Sequence, residues 1–332
     1  MFWSKKIDIL AIGDTTVDAF IRIKDAHLNC NVNRESCEIC FRFADKVPYE
    51  SVTVVAGVGN AANASVSAAR LGLKSAFLGV VGEDRNGREC IDALKKSGVD
   101  VRYMTVEKGK ETNYHYVLWY EADRTILIKH QEYTYTIPRG IAPSWVYLSS
   151  LGENSLPYHR ELATYLRDNQ EVKLAFQPGT FQMKLGTEAL KDIYARTEVF
   201  FCNVEEAQRI LKTESRDIQE LLSGVRTLGP RIAVITDGRN GAYASDGTLR
   251  IQQPMYPDRK EPVERTGAGD ALASTVVSAL CLGKPLEEAL AWGPINSMAV
   301  VEEIGAQKGL LDRPALLKLL AAAPSDYRGS RL

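Results

Sequence analysis

The residues of this chain best suited to chemistry lie in the stretch Thr-Gly-Ala-Gly-Asp at positions 266–270. Its small side chains leave the peptide N–H groups of Gly267, Ala268 and Gly269 accessible just before an apolar-periodic segment. A glycine-rich turn that opens a helix presents unpaired N–H groups and the positive end of the helix dipole to an anion. Asp270 lies at the helix start, where the same field favours its ionised form, so it can accept a proton beside the anion. For this stretch taken alone, the alternative is a purely structural one: glycines that form a turn and an aspartate in the first turn of the helix.

Composition and charge limit the classes of function. The chain has 332 residues, 45% hydrophobic and 25% charged, with a formal net charge of −1. These values are ordinary for a globular protein and do not favour a nucleic acid or a membrane surface as the main partner. The N-terminal apolar run at 7–13 is too short for a signal sequence or a membrane span. We therefore interpret it as a buried strand and expect a cytoplasmic protein.

The elements that must position these residues alternate between strand and helix. Short apolar strands are predicted at 7–13, 75–81, 145–149, 172–176, 199–202 and 232–236. Helical segments between them predict a mostly parallel sheet in a three-layer α/β/α fold. Three further segments, 19–23, 113–118 and 125–130, alternate like strands of a small separate sheet, the last two as a hairpin.

Polar residues follow two of the early strands. Asp14 and Asp18 lie at or just past the carboxyl end of the first strand, where ligands bind in open α/β sheets. Gly59 and Asn63 follow a strand that begins near residue 52; Gly59 lets a ligand approach the backbone, and Asn63 can both donate and accept. An Asx-turn is the alternative for Asp14, and a solvated loop charge is the alternative for Asp18.

Several short motifs in order give the chain a resemblance to a known family. The stretch at 266–270 resembles the C-terminal signature of the ribokinase-like, PfkB-type carbohydrate kinases, and Gly-Asn-Ala-Ala-Asn at 59–63 is similar to the N-terminal signature. Asn-Val-Glu-Glu at 203–206 is similar to the family's N-x-x-E motif, and Thr-Asp-Gly-Arg-Asn-Gly at 236–241 resembles its nucleotide-phosphate loop. Asn296 with Gly-Ala at 305–306 matches a segment near the adenine. The resemblance covers almost the whole chain.

The resemblance implies ATP-dependent phosphoryl transfer to a hydroxyl of a sugar or sugar-like substrate. Asp270 would take the proton from the attacking hydroxyl, and the N–H groups of Gly267, Ala268 and Gly269 would hold the γ-phosphoryl oxygens. Glu206 would orient Mg²⁺ indirectly, through its waters. The implied substrate-binding residues are Asp14, Asp18, Gly59 and Asn63, and the implied nucleotide-binding residues are Asn203, Thr236, Gly238, Gly241, Thr266 and Asn296.

The resemblance also implies two structural parts. We expect an α/β core from residues 1–18, 55–111 and 132–332, and a β-sheet lid from 19–54 and 112–131 that closes on the sugar and excludes water. Lids in this family often pair, so a homodimer through the lid is an expectation.

Two other functions stay open. One is a nucleoside kinase of the same superfamily, which an aromatic lid residue stacking on a base, Tyr114, Tyr116 or Trp119, would favour. The other is a catalytically silent ligand-binding regulator. The intact Asp270 and glycine loop argue against the regulator, because a silent copy has no reason to keep both.

Three short stretches depart from the family pattern. Glu-Arg at 264–265 stands where the family usually has Asp-Thr, which leaves activation by a monovalent cation uncertain. Val58 precedes Gly59 where a second glycine is common, and Asp237 follows Thr236 where an apolar residue is frequent. The acceptor-side pocket and the nucleotide loop therefore need not match the family in detail.

Cations on the predicted hairpin have two interpretations. Arg124, Lys129 and His130 lie on or beside it. They either meet a phosphorylated substrate or form a solvated face of the hairpin. The sequence does not decide between these.

A histidine and three cysteines cluster in the predicted lid, at His27, Cys30, Cys37 and Cys40. They supply a four-ligand set for a structural zinc ion, which would stiffen a lid with little core of its own. Reduced cysteines without metal are the alternative.

Overall fold

The structure is a computed structural model that describes residues 6–30, 37–121 and 123–332. Its strands are β1 (Ile9–Ile12), β2 (Thr16–Ile23), β3 (His27–Cys30), β4 (Cys37–Cys40), β5 (Tyr49–Val58), β6 (Ser75–Gly82), β7 (Asp100–Glu107), β8 (Asn113–Tyr120), β9 (Asp123–Leu127), β10 (Trp145–Leu148), β11 (Lys173–Phe176), β12 (Thr197–Asn203), β13 (Ile232–Thr236), β14 (Ala242–Ser245), β15 (Arg250–Gln253) and β16 (Ser330–Arg331). Its α-helices are α1 (Asn60–Arg70), α2 (Arg85–Lys96), α3 (Leu156–Asp168), α4 (Thr180–Ala189), α5 (Lys191–Arg196), α6 (Val204–Leu211), α7 (Ile218–Thr227), α8 (Ala268–Cys281), α9 (Leu286–Val301) and α10 (Arg313–Ala321). None of these helices combines the length and apolar character needed to cross a bilayer.

The central sheet has ten strands in the order β16-β15-β14-β13-β12-β11-β10-β1-β6-β7. The strands from β7 to β13 in this order are parallel, and β14, β15 and β16 add one antiparallel edge. Alternate residues of β1 enter two different cores: Ile9 and Ala11 pack with α8 and α9, whereas Leu10 and Ile12 pack with α3. The predicted three-layer fold with a mostly parallel sheet and a small separate sheet is confirmed. The antiparallel edge was not predicted.

The small sheet, here called the lid, has the order β5-β2-β8-β9. Asp18 of β2 lies opposite His115 of β8, and Trp119 of β8 lies opposite Arg124 of β9. Residues directly opposite one another, and residues two or four apart on one strand, project from the same face of a sheet. Asp18, His115, Trp119 and Arg124 therefore share one face. The predicted hairpin is present, although its second strand spans 123–127 rather than 125–130.

This face of the lid rests on the core near the turn after α9. A Cβ added at Gly305 would lie 3.6 Å from Cγ2 of Val55 and 3.8 Å from Cε2 of Phe20. Phe20 lies two residues after Asp18 on β2, and Val55 lies opposite Asp18 on β5. The contact with Gly305 therefore fixes the position of Asp18 above the core. The opposite face exposes apolar side chains, among them Val52, Val54, Tyr116 and Leu127.

The cysteine cluster forms a second small hairpin, in which β3 pairs with β4. Cys30 and Cys37 are joined by a disulfide, and His27 lies opposite Cys40. Bonded sulfurs cannot serve as thiolate ligands. Within residues 6–30, 37–121 and 123–332 there is also no group of three or more His, Cys, Asp or Glu side chains that could hold a metal ion. The zinc site expected from His27, Cys30, Cys37 and Cys40 is therefore not assembled, and the cysteines are not all reduced.

Candidate active site

The first turn of α8 faces open space. Gly267 caps the helix with φ 81°, and a Cβ there would come within 2.3 Å of Cβ of Ala306, so the position needs glycine. A Cβ at Gly269 would meet nothing within 4 Å. The N–H of Ala268 is 3.4 Å from the carbonyl oxygen of Arg265, a weak contact that an incoming anion could replace. The helix thus presents first-turn N–H groups and its positive dipole end to a ligand.

Asp270 projects from this first turn and is held by two side-chain amides. Its Oδ2 accepts a 2.8 Å hydrogen bond from Nδ2 of Asn63, and its Oδ1 accepts one of 3.1 Å from Nε2 of Gln177. Burial raises the pKa of Asp270, and the Asp18 carboxylate raises it further. The two amides and the Arg124 guanidinium lower the pKa. The result is a carboxylate that is more basic than a solvated one and is preorganised to accept a proton.

Asn63 holds Asp270 from the first turn of α1, because this helix starts at Asn60. Oδ1 of Asn63 accepts a 3.0 Å hydrogen bond from Nε2 of Gln307, which also donates to the Gly57 carbonyl at 2.7 Å. These contacts fix the amide so that its nitrogen points at the carboxylate. Asn63 is in this structure a positioning residue for Asp270.

Gln177 was missed by the sequence analysis. The Tyr147 hydroxyl donates to its Oε1, and the Ser149 hydroxyl donates to its carbonyl oxygen at 2.7 Å. Gln177 directly follows β11, at the edge of the sheet where the parallel strands end. This position was the available signal, since ligands bind outside the carboxyl ends of parallel strands. No motif marks the residue.

Asp18 lies near Asp270, close enough for its charge to raise the Asp270 pKa. It is only 8% exposed, and its Oδ1 is 3.2 Å from Nδ1 of His115. Gly59, with φ 109°, starts α1 so close to the first strand that a Cβ would lie 2.9 Å from the carbonyl oxygen of Asp14. The structure thus brings Asp18, Gly59, Asn63 and Asp270 to one site.

Asp14 is buried beneath this site with both oxygens engaged. Its Oδ1 accepts a 2.8 Å hydrogen bond from the Tyr135 hydroxyl, and its Oδ2 is 3.3 Å from Nδ1 of His130. Burial raises the pKa of Asp14, against the opposing effects of His130 and Tyr135. The Tyr135 oxygen also accepts from the Gly152 N–H at 3.1 Å. Asp14 therefore holds the segment that carries His130, and neither of its oxygens is free to bind a ligand.

A cavity of about 470 Å³ opens beside the first turn of α8, lined there by Ala268 and Gly269. This is the size of sites that hold small ligands and cofactors. Four of the predicted nucleotide-binding residues line it: Asn203, Thr236, Gly238 and Gly241. Sequence reasoning missed its apolar wall, which includes Met255, Tyr256, Pro257, Met298 and Val301, and its cations Arg239 and Arg265. These residues carry no motif and converge only in the folded chain.

The loop after β13 reaches this cavity in a tight turn. A Cβ at Gly241, which has φ 95°, would lie 2.2 Å from the Gln253 carbonyl oxygen. The N–H of Asp237 donates to the Gly241 carbonyl at 2.9 Å, and its carboxylate accepts from Nδ2 of Asn240 at 2.8 Å. The unusual aspartate at 237 thus stabilises the turn that positions Gly238.

Asn203 and Glu206 form a reciprocal cap at the start of α6. Oδ1 of Asn203 accepts from the Glu206 N–H at 2.8 Å, and Oε2 of Glu206 accepts from the Asn203 N–H at 2.9 Å. Burial raises the pKa of Glu206, and the Asp270 carboxylate raises it as well, while the Asn203 N–H and Arg209 lower it. Glu206 is therefore both a helix cap and a carboxylate within the electrostatic reach of Asp270.

Two of the predicted nucleotide-binding residues do not line the cavity. Asn296 is fully buried: its Nδ2 donates to Oγ1 of Thr275 and its Oδ1 accepts from the Leu311 N–H, each at 2.8 Å. The N–H of Thr266 donates to both oxygens of Glu264 at 3.0 Å, and the neighbouring Arg265 lines the cavity instead. The Glu264 carboxylate is thus engaged with the backbone.

Comparison with known proteins decides the family. The profile of the pfkB family carbohydrate kinases matches residues 26–313, which is most of the chain. The chain belongs to this family. It is a carbohydrate kinase, and ATP-dependent phosphoryl transfer is the reaction of the group.

Relatives of this PfkB-family kinase include sugar and nucleoside kinases. The ribokinase of Bacillus subtilis (strain 168) is 26% identical over 79% of this chain and 87% of its own length. The nucleoside kinase of Methanothermobacter thermautotrophicus is 24% identical over 80% of this chain and 84% of its own length. The structure of Arabidopsis thaliana ribokinase complexed with ribose and ATP superposes with a TM-score of 0.77 at 19% identity, over 95% of this chain and 99% of that one. The fold and the family agree.

The placement of Asn296 leads to a prediction that separates stability from nucleotide binding. Asn296→Ala removes two buried hydrogen bonds and leaves two groups unpaired, which should lower the free energy of unfolding by about 2–4 kcal/mol. The KM for ATP should stay within about twofold, as expected for a side chain outside the cavity. Met255→Ala, in the cavity wall, is the matched control and should raise the KM for ATP more than it lowers stability. A large rise in KM with unchanged stability in Asn296→Ala would show that Asn296 contacts the nucleotide.

Proposed function

We propose that this kinase transfers the γ-phosphoryl group of ATP to a hydroxyl of a small sugar-like acceptor bound between Asp18 and Asp270. One observation carries the proposal. The Asp270 carboxylate stands in the first turn of α8, with each oxygen held by a side-chain amide, beside a cavity large enough for a nucleotide. A proton acceptor thereby adjoins an anion-binding helix end.

The chemistry assigned to the protein is positioning and charge stabilisation. The acceptor hydroxyl gives its proton to Asp270 as its oxygen attacks the γ-phosphorus, and ADP leaves. The N–H groups of Gly267, Ala268 and Gly269, with the α8 dipole, stabilise the negative charge on the transferred oxygens. Gly269 offers the most open approach, because its Cβ position is empty.

The two substrates are assigned to opposite sides of this turn. Asp18 accepts hydrogen bonds from acceptor hydroxyls, and Gly59 brings the backbone of α1 close to the same region. Thr236 and Gly238, with Arg265, bind the nucleotide phosphates, and Met255 and Met298 enclose its apolar part. Asp14 and Asn63 act indirectly. Asp14 positions His130, and Asn63 positions Asp270.

Magnesium is the metal that this reaction class requires. It neutralises charge on the nucleotide phosphates and keeps several waters in its coordination shell. Asn203 and Glu206 are the residues that would hold those waters. The donor set fits, because Asn203 lines the cavity and the Glu206 carboxylate lies within electrostatic reach of Asp270. An added cation would lower the raised pKa of Glu206.

A nucleoside acceptor is the second candidate, and a relative named as a nucleoside kinase supports it. The lid aromatics that would stack on a base do not favour it. Tyr116 is exposed on the outer face of the lid, and Arg22 covers one side of the Trp119 ring at 4.8 Å. Tyr114 packs against Tyr116 with ring centroids 5.1 Å apart. A sugar-like acceptor therefore comes first.

The expected homodimer through the lid stays a prediction. The outer lid face exposes Val52, Val54, Tyr116 and Leu127, an apolar surface that a second lid could cover. Sedimentation equilibrium should give twice the chain mass, and Val54→Glu should shift the protein to monomer. A wild-type protein that stays monomeric at high micromolar concentration would contradict the dimer.

Asp270→Asn provides the test of the proposed base. ADP release should be measured across a panel of sugars, sugar phosphates and nucleosides. The wild type should turn over at least one acceptor, and Asp270→Asn should lower kcat on it by about 10²–10⁴-fold while ATP still binds. Asp168→Asn, an exposed aspartate paired with Arg167, is the control and should have wild-type activity. Unchanged turnover in Asp270→Asn would remove the assigned base, and no wild-type turnover with any acceptor would favour the silent regulator.

The hydrogen bond from Asn63 leads to a prediction about pH dependence. This bond favours the charged form of Asp270 and lowers its pKa, so Asn63→Ala should raise that pKa. The acid limb of kcat/KM should move to higher pH by about one unit, since a hydrogen bond to a charged group is worth ~1.5 kcal/mol. Gln307→Ala removes the contact behind Asn63 without touching Asp270 and should shift the limb less. An unchanged acid limb in Asn63→Ala would show that Asp270 is not the group titrating there.

A further inference from the structure

One cation of the lid has a buried donor with nothing to bind. Arg124 lies on β9 opposite Trp119, on the lid face that also carries Asp18 and His115. Its Nε is buried and has no hydrogen-bond partner among the residues that the structure describes. Within the same residues Arg124 also takes part in no ion pair.

Other cations near Arg124 are satisfied. Lys129 is exposed and pairs with Oε2 of Glu111 at 2.7 Å. Arg22 pairs with Oε2 of Glu50 at 3.1 Å and stacks on Trp119. Buried charged donors are normally hydrogen-bonded, and an unpaired one is costly. Arg124 is thus set apart from the solvated lid cations by a buried donor that none of the described groups satisfies.

The missing partner belongs on the acceptor side of the site. The Arg124 guanidinium lowers the pKa of Asp270, so its field reaches the proposed base. His115 lies on the same lid face, four residues before Trp119 on β8. Its Nε2 is also buried without a hydrogen-bond partner among the described residues, while its Nδ1 faces Oδ1 of Asp18 at 3.2 Å. The nucleotide cavity has its own cations, Arg239 and Arg265, and Arg124 does not line it.

We propose that the acceptor carries an acidic group, a phosphate ester or a carboxylate, in addition to the hydroxyl that is phosphorylated, and that Arg124 binds this group. The inference rests on the proposed function and names its substrate class. A guanidinium presents a planar fork of donors that matches the oxygens of a carboxylate or phosphate, whereas a neutral hydroxyl would leave its charge unpaired. The His115 imidazole supplies a further hydrogen bond to the same group or to the sugar beside it.

The nearby carboxylates Asp14, Asp18 and Asp270 have partners other than Arg124. Asp18 is faced by His115, and Asp14 by His130, whose ring lies 5.1 Å from that of His115. Asp270 is held by two amides. Arg124 is therefore available to an incoming anion, and an anion there would keep the reactive hydroxyl between Asp18 and Asp270.

Matched acceptors test the proposal. ADP release is measured with D-ribose and D-fructose as neutral acceptors, with fructose 1-phosphate and fructose 6-phosphate as phosphate esters, and with D-gluconate and 2-keto-3-deoxy-D-gluconate as carboxylates. The wild type should have its highest kcat/KM on a member of one anionic group, and that group identifies the acid. Arg124→Gln should raise the KM for that acceptor by about 10- to 100-fold, the effect of losing a hydrogen bond to a charged group. Neutral acceptors should change by less than about twofold.

Two further variants sharpen the result. Lys129→Gln removes an exposed lid charge and should behave as the wild type. Arg124→Lys keeps the charge but not the fork, and should fall between the wild type and Arg124→Gln. If Arg124→Gln does not fold, as judged by its melting temperature, Arg124→Lys carries the comparison.

Three outcomes would overturn the proposal, and they differ in whether the proposed function fails with it. Wild-type preference for a neutral acceptor, unaffected by Arg124→Gln, would overturn the inference and leave the proposed function intact. An equal fall in kcat on neutral and anionic acceptors would place Arg124 on the transferred phosphoryl group instead. Absence of turnover with these acceptors, and with the nucleosides of the panel used for Asp270→Asn, would contradict the proposed function and the inference together.

Discussion

Two side-chain amides hold a carboxylate at the positive end of α8, and the rest of the site depends on that interaction. Burial alone favours the neutral form of Asp270, which could not accept a proton. Asn63 and Gln177 oppose this by donating one hydrogen bond to each oxygen, and the helix end adds its dipole. The carboxylate is thereby kept ionised and fixed in direction. A carboxylate held in this way needs donors that arrive from separate parts of the chain.

The fold supplies those donors from three elements that are distant in sequence. Asn63 comes from α1, Gln177 follows β11, and Asp270 begins α8. Parallel strands bring their carboxyl ends to one edge of the sheet, so residues that follow different strands meet there. The lid then covers this edge with Asp18, His115 and Arg124 on its inner face. The region around Asp270 thus lies between the edge of the large sheet and a small second sheet.

The sequence predicted those features of the fold and the site that depend on residues close together in the chain. Apolar strands, the glycine turn and the helix after it predicted the layers and the place of Asp270, because each depends on neighbours in the chain. Asn296 and Gln177 show the limit. Asn296 lies next to residues that line the cavity, but the packing of α8 against α9 turns its amide inward to Thr275. Gln177 has no motif, and only the pairing of β11 within the sheet brings it to Asp270.

Two further features could not be read from spacing. The cysteine spacing allowed zinc ligation, whereas the pairing of β3 with β4 places Cys30 opposite Cys37, where a disulfide forms. Arg124 had two interpretations in the sequence, since a hairpin cation is usually solvated. Its buried Nε, set by the register of β9 against β8, is what distinguishes it from Lys129. In both cases strand register, a non-local property, decided the outcome.

A crystal structure of the wild-type enzyme with ADP and the acceptor that gives the highest turnover is the most direct test of Asp270 as the base. We expect ADP in the cavity lined by Thr236, Gly238 and Met298, with its terminal phosphate toward Gly269. We also expect one acceptor hydroxyl within hydrogen-bond reach of an Asp270 oxygen, about 2.6–3.2 Å away. An acceptor whose hydroxyls all lie beyond the reach of Asp270, or a nucleotide bound elsewhere, would rule out this role for Asp270.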